Sequence, residues 1–272
     1  TVYDFFIKRA LDQLYYNLYW GSEFVVMGTP SGVTLAPEGA QHSWKSDIQI
    51  PNLITWEPLF AVEMDWILSD AIKRHMEDRN EHRRGVLIRG VTRGVPQKLL
   101  LESLRKQARS KAALQSGQAG TEVLLCPAGE AWEGAVDEAT LAPLPDDELL
   151  ERVRGDCLAG AYYLLDWRGY AGYEPGDNVV HLFVMGALGL EALEASHELL
   201  ERGVFANVIA VSSPELLVGI LGHADGYRHL REGLGITGDL HAVAGAGDSE
   251  AGLVSLAGRR VPCVSAHDGE AG

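Results

Sequence analysis

The chain has 272 residues, 46% of them hydrophobic, and a formal net charge of −15. That length can bury one large core or two ordinary ones, and the composition is that of a globular protein. The excess of negative charge argues against non-specific attraction to nucleic acid or to an anionic membrane surface.

The chain begins with Val2 to Phe6, read as a strand end or turn leading into a helix. From Ile7 to Tyr19 the spacing of Ile7, Leu11, Leu14, Tyr15 and Leu18 is helical, and Tyr15, Tyr16, Tyr19 and Trp20 make the far end aromatic. That aromatic end is expected to pack on a sheet or a subunit partner. Glu23 to Met27 is a short apolar, β-branched run that reads as a buried strand. It is followed by a loop, Gly28 to Trp44, holding Gly28, Gly32 and Gly39, Pro30 and Pro37, and one Glu and one His four apart, Glu38 and His42. A loop of that length in a compact domain is functional or disordered, and two prolines with no charge run favour the functional reading.

Ile48 to Trp56 is the next strand candidate. Glu57-Pro58 then opens a long helix, with proline suited to a first turn and an acidic residue complementing the dipole. Glu63 on this helix is read as structural, hydrogen-bonded to a neighbour. Lys73-Arg74-His75 close the helix, and Val86 to Gly90 form a buried strand. Strand, loop, helix and strand in this order predict parallel βαβ units. Leu99 to Leu114 is amphipathic and basic, a solvated helix face.

Gln115 to Gly120 is the best linker candidate, and residues 121–177 read as a connector of modest structure. Beyond Asn178 the pattern sharpens: strand Val179 to Met185, turn Gly186 to Gly189, helix Leu190 to Arg202 and strand Val204 to Ser212 make one βαβ unit. Gly186-Ala187-Leu188-Gly189 lacks the Gly-x-Gly-x-x-Gly spacing of a dinucleotide site. Arg260 to Gly269 is expected to be a buried strand with a polar exit, its His267-Asp268 pair belonging to a turn. Cys126, Cys157 and Cys263 are widely spaced and form no Cys-x-x-Cys, which fits a reducing, cytoplasmic setting and no disulfide framework. No apolar run reaches the roughly 18 residues of a spanning helix, and no signal-peptide pattern is present.

The segment Gly32-Val33-Thr34-Leu35-Ala36-Pro37-Glu38-Gly39-Ala40-Gln41-His42 resembles the Gly-x-Thr-Leu-x-x-Glu-Gly-x-Gln-His loop of homodimeric pyruvate dehydrogenase E1 components. These belong to the transketolase-like superfamily of thiamine diphosphate enzymes. The likeness continues through Ile50-Pro51-Asn52 and Pro58 to Glu63, and resumes near Asn178. It implies an α/β fold: a partial pyrimidine-binding-type domain with a parallel sheet over 1–114, a connector over 115–177, and a transketolase C-terminal-like domain over 178–272. It also implies thiamine diphosphate with Mg2+, and decarboxylation of a 2-oxo acid, above all pyruvate, followed by reductive acylation of a lipoyl group on an E2 partner. His42 and Glu38 are the implied catalytic pair. Phe5, with Phe6 as the alternative, would lie against the aminopyrimidine.

The family's Gly-Asp-Gly…Asn motif for diphosphate and magnesium is missing; Gly247-Asp248-Ser249 is the nearest fragment. The glutamate that activates the pyrimidine should precede Thr1. Together with an opening that lacks methionine, this leads us to expect a fragment of a longer polypeptide, or a complementary chain completing a homodimer-like site. Transketolase or another 2-oxo acid dehydrogenase E1 is the sibling reading, although transketolases carry an Asp-Gly-Pro-Thr-His type of loop that this order does not match. A non-catalytic assembly or regulatory chain of the same fold is the competing class.

Overall fold

Residues 85–91 have the pattern of a strand covered on either side and pair in parallel with residues 24–31, which are mostly half-buried with Val25 40% exposed, so the burial expected for Glu23 to Met27 does not hold. In the computed structural model of this chain, the described residues are 7, 10–31, 53–77, 85–91, 93–105, 145–158, 160–167, 172–174, 176–214, 216, 241–242, 254–255 and 261–266. Helix α1 (Leu11–Tyr19) leads into β1 (Phe24–Ser31), then β2 (Leu53–Trp56), α2 (Ala61–Glu77) and β3 (Gly85–Val91). The sheet order is β1-β3-β2, all parallel, with Phe24 and Leu53 both facing Gly85 across β3. β3 is therefore the centre of this sheet, buried from Gly85 to Gly90.

Helix α1 ends where Gly21 takes φ 66, a left-handed conformation that glycine adopts without a Cβ penalty. Its inner side holds Leu18, which packs with Ile7, Leu53 and Leu87. Its aromatic end faces outward: Tyr16, Tyr19 and Trp20 are exposed, with Trp20 in edge-to-face contact with both tyrosines. Packing of these rings on a sheet of this chain is thus not what the structure has.

Helix α2 begins at Ala61, not at Glu57-Pro58. Leu59 and Phe60 are buried, and their N–H groups donate to the Glu63 carboxylate, so the chain enters the helix through a side-chain cap. A further helical stretch covers 98–105; the rest of the predicted helix to Leu114 lies outside the described residues.

The second sheet has the order β4-β6-β5-β9, built from β4 (Ala161–Leu165), β5 (Val179–Val184), β6 (Phe205–Val211) and β9 (Cys263–Ala266). β5 is parallel to β6 and β9, whereas β4 runs antiparallel to β6. A 3-10 turn (Gly186–Leu188) and helix α4 (Gly189–Glu201) make the crossover from β5 to β6, as the residue pattern predicts. Helix α3 (Asp146–Leu158) and β4 fall inside the span read as a connector, and β4 completes this sheet. Two short strands, β7 (His241–Ala242) and β8 (Val254–Ser255), pair antiparallel.

Two further points differ from the sequence reading. β9 is exposed at all four residues, because among the described residues it is an edge strand paired to β5 alone; the expected burial does not hold. Asn207 on β6 accepts the Trp167 N–H (2.7 Å) and donates to the Tyr173 hydroxyl (2.8 Å), tying the segment before β5 to the sheet. The main apolar cluster joins Leu59, Phe60 and Trp66, at and beyond the entry to α2, to Leu149, Leu164, Val184, Leu193 and Phe205, while β2 and β3 pack in two separate clusters.

Candidate functional site

In parallel α/β sheets, ligands bind beyond the carboxyl ends of the strands. The candidate loop leaves the first sheet at the carboxyl end of β1 and returns at the amino end of β2. Its anchor is irregular, since the pairing of β1 with β3 shifts register between Gly28 and Ser31. Glu38 and His42 lie outside the described residues, as do Phe5 and Phe6.

The carboxyl ends of three other strands converge. Beyond β2, the Glu57 N–H donates to the carbonyl of Ser212 just beyond β6, at 2.9 Å. The Glu57 side chain, 2% exposed, lies against Gly186 beyond β5. A Cβ on Gly186 would sit 2.6 Å from Glu57 Oε1, and its φ of +49 is one that other residues adopt only with strain. Only glycine fits here. Arg93, beyond β3, pairs with Glu191 in the first turn of α4. The region where the first sheet would present a ligand is thus braced by the second.

Deeper in this junction lies Glu63, fully enclosed. Its Oε2 accepts from Leu59 N–H at 2.5 Å and Phe60 N–H at 3.0 Å, and its Oε1 accepts from the Tyr162 hydroxyl. Burial raises its pKa from 4.5 to about 7, against the pull of the three donors, which favour the charged form. Burial, and then the Glu63 carboxylate, push the Tyr162 phenol well above 10. Burial likewise pushes the Cys157 thiol up, with Glu63 adding to it. The sequence reading of Glu63 as structural and hydrogen-bonded to a neighbour is what the two amide bonds show. Its third partner was missed, because Tyr162 lies 99 residues away inside the presumed connector.

Among the described residues there is no group of three or more His, Cys, Asp or Glu side chains placed to hold a metal ion. No helix of the described residues is long and apolar enough to cross a membrane.

No family model matches the chain, and no curated protein matches it. Solved structures do. A transketolase from Leishmania mexicana superposes with a TM-score of 0.49 at 15% identity, over 98% of this chain and 26% of that one. A transketolase from Pichia stipitis in complex with sedoheptulose-7-phosphate gives 0.48 at 12%, over 79% and 22%. A split-gene transketolase, described as an inactive beta4 tetramer, gives 0.39 at 16%, over 78% and 48%. The chain thus spans about a quarter of the full-length transketolases it resembles. At these identities the likeness concerns strand and helix arrangement and says nothing of reaction or substrate.

Proposed function

We propose that this chain is part of a thiamine diphosphate-dependent enzyme acting on a 2-oxo acid, with pyruvate the first candidate and a lipoyl-bearing E2 component the acyl acceptor. The observation that supports this reading is the residue order Gly32 to His42, carried by a loop that leaves the carboxyl end of a parallel strand. In this reading His42 donates a proton or hydrogen bond to the substrate's carboxylate or oxyanion, since imidazole titrates near neutral pH. Glu38 orders the hydrogen bonds around it. Phe5 or Phe6 supplies an apolar surface to the aminopyrimidine. The coenzyme, when bound, would supply the carbanion chemistry, and the diphosphate and Mg2+ grip comes from sequence beyond this one or from a complementary chain.

Two measurements test the proposal. Calorimetry with thiamine diphosphate and Mg2+ is expected to show no binding to the 272-residue chain alone. In the assembly that binds the coenzyme, His42→Ala should lower pyruvate turnover by at least ~10², the size typical of losing a general acid–base group, with coenzyme affinity retained. A His42→Ala assembly as active as the parent would remove His42 from the site. Turnover of a ketose phosphate with no decarboxylation of any 2-oxo acid would replace the dehydrogenase reading with a transketolase one.

A further inference from the structure

Helix α1 closes on three aromatic rings that stand open to solvent: Tyr16 is 62% exposed, Tyr19 84% and Trp20 65%. A contiguous aromatic patch this open marks a contact surface, and tyrosine and tryptophan are enriched among the residues that dominate protein contacts. Trp20 meets Tyr16 at 65° with centroids 6.1 Å apart, and Tyr19 at 84° with centroids 6.2 Å apart. Edge-to-face pairing at these distances holds each ring against its neighbour. A ligand that lies on rings held in this way costs them little side-chain freedom. Steeply crossed planes also make a corner whose walls are π faces, and a π face attracts positive charge.

The surroundings of the rings select the sign of what can lie on them. Asp12, Tyr16 and Trp20 follow one another at helical i, i+4 spacing and share one stripe of α1. Glu23, exposed like Asp12, comes three residues beyond Trp20. The last turn of α1 has no basic side chain, although the helix dipole favours a cation there. From Ala10 to Trp44 the sequence has no Lys or Arg. A second copy would bring the same acidic rim and another net charge of −15 to the contact, whereas a basic segment brings the opposite sign. We propose that the carboxyl end of α1 docks a basic segment of another protein, an arginine guanidinium of that segment lying on the faces of Trp20 and Tyr19 between the acidic side chains of Asp12 and Glu23. Arginine suits the place better than lysine, because its planar and weakly hydrated guanidinium stacks on a ring. The contact stands apart from the coenzyme reading, since it uses none of the residues on which that reading rests.

The test is an NMR titration of the full chain with a capped glycine-serine peptide carrying two arginines. Two counterparts serve as controls: one with citrulline, which keeps the shape and loses the charge, and one with glutamate. The Trp20 indole N–H signal is identified by its loss in Trp20→Phe. Expected is a saturable shift of that signal with the arginine peptide, at least about 5-fold weaker binding with citrulline, and no shift with glutamate. Tyr19→Ala and Trp20→Ala should each weaken the arginine peptide about 3-fold, the size of one exposed cation–π contact, and the double variant about 10-fold. Thermal midpoints should stay where they are, because these rings are exposed. Undiminished binding of the arginine peptide by the double variant, or binding that leaves the Trp20 signal in place, would overturn the proposal. Equal affinity for the citrulline peptide would do the same. So would a Trp20 signal that moves with the chain's own concentration, which would make the rings a contact between copies.

Discussion

Glu63 shows how one side chain sets a pH dependence for the whole fold. Its folded-state pKa is raised from 4.5 to about 7 by burial, so the folded form binds the proton more tightly than the unfolded form. The corresponding stability is fully present below about 4.5 and is lost as pH rises through about 7. Between pH 5.5 and 8.5 the loss is on the order of 2 kcal/mol. Urea midpoints measured at the two pH values should differ in that direction, and the difference should vanish in Glu63→Gln. A midpoint that rises with pH would contradict the burial argument. Half of this residue's role was legible: a Glu beside the apolar stripe of a helix reads as structural and hydrogen-bonded to a neighbour, as its two amide partners show. The tyrosine opposite was not legible, because no local pattern links residue 63 to residue 162.

Elements with strong periodicity emerged where the residues put them. β1, β3, β5, β6 and α4 fall within a residue or so of their predicted limits, except that β1 runs on to Ser31, because an apolar β-branched run between turn residues has few other uses. The entry to α2 was placed early, since proline after an acidic residue imitates a first turn while burial of Leu59 and Phe60 holds that stretch out of the helix. β9 was misjudged for a similar reason. Apolar content in Val261 to Ala266 suggested burial, yet a terminal edge position leaves its side chains outside. The α2 entry also makes a prediction. Gln97 Oε1 accepts the Ala61 N–H at 2.7 Å, and Gln97 Nε2 donates to the Val95 carbonyl at 2.8 Å. Gln97→Ala should therefore cost about 1 kcal/mol, the usual worth of a helix cap, and read as a small fall in thermal midpoint. An unchanged midpoint would make the contact incidental.

At the scale of the molecule, α2 and the residues that enter it tie the first half of the chain to the second sheet. Leu59, Phe60 and Trp66 from the first half share a cluster with Leu164, Val184 and Phe205 from the second. A protease site inserted at Gly117, within the small polar stretch Gln115 to Gly120, should therefore be cut without separating the halves. The two fragments should co-elute in size-exclusion chromatography until denaturant is added. Separation in buffer alone would mean that the shared cluster contributes little. The loop from Gly28 to Trp44 was legible only as residue order, and its Glu38 and His42 lie outside the described residues.

The position of β9 has a consequence for biosynthesis. β5 is complete at Val184, yet its outer neighbour, Cys263–Ala266, is translated some eighty residues later. At ribosomal speeds that is an interval of several seconds. Throughout it, the nascent chain carries an unsatisfied row of β5 amides and carbonyls, which invites pairing with other chains. A chaperone, or rapid closure of β6 on the opposite flank, is what such a newborn polypeptide would depend on until β9 arrives.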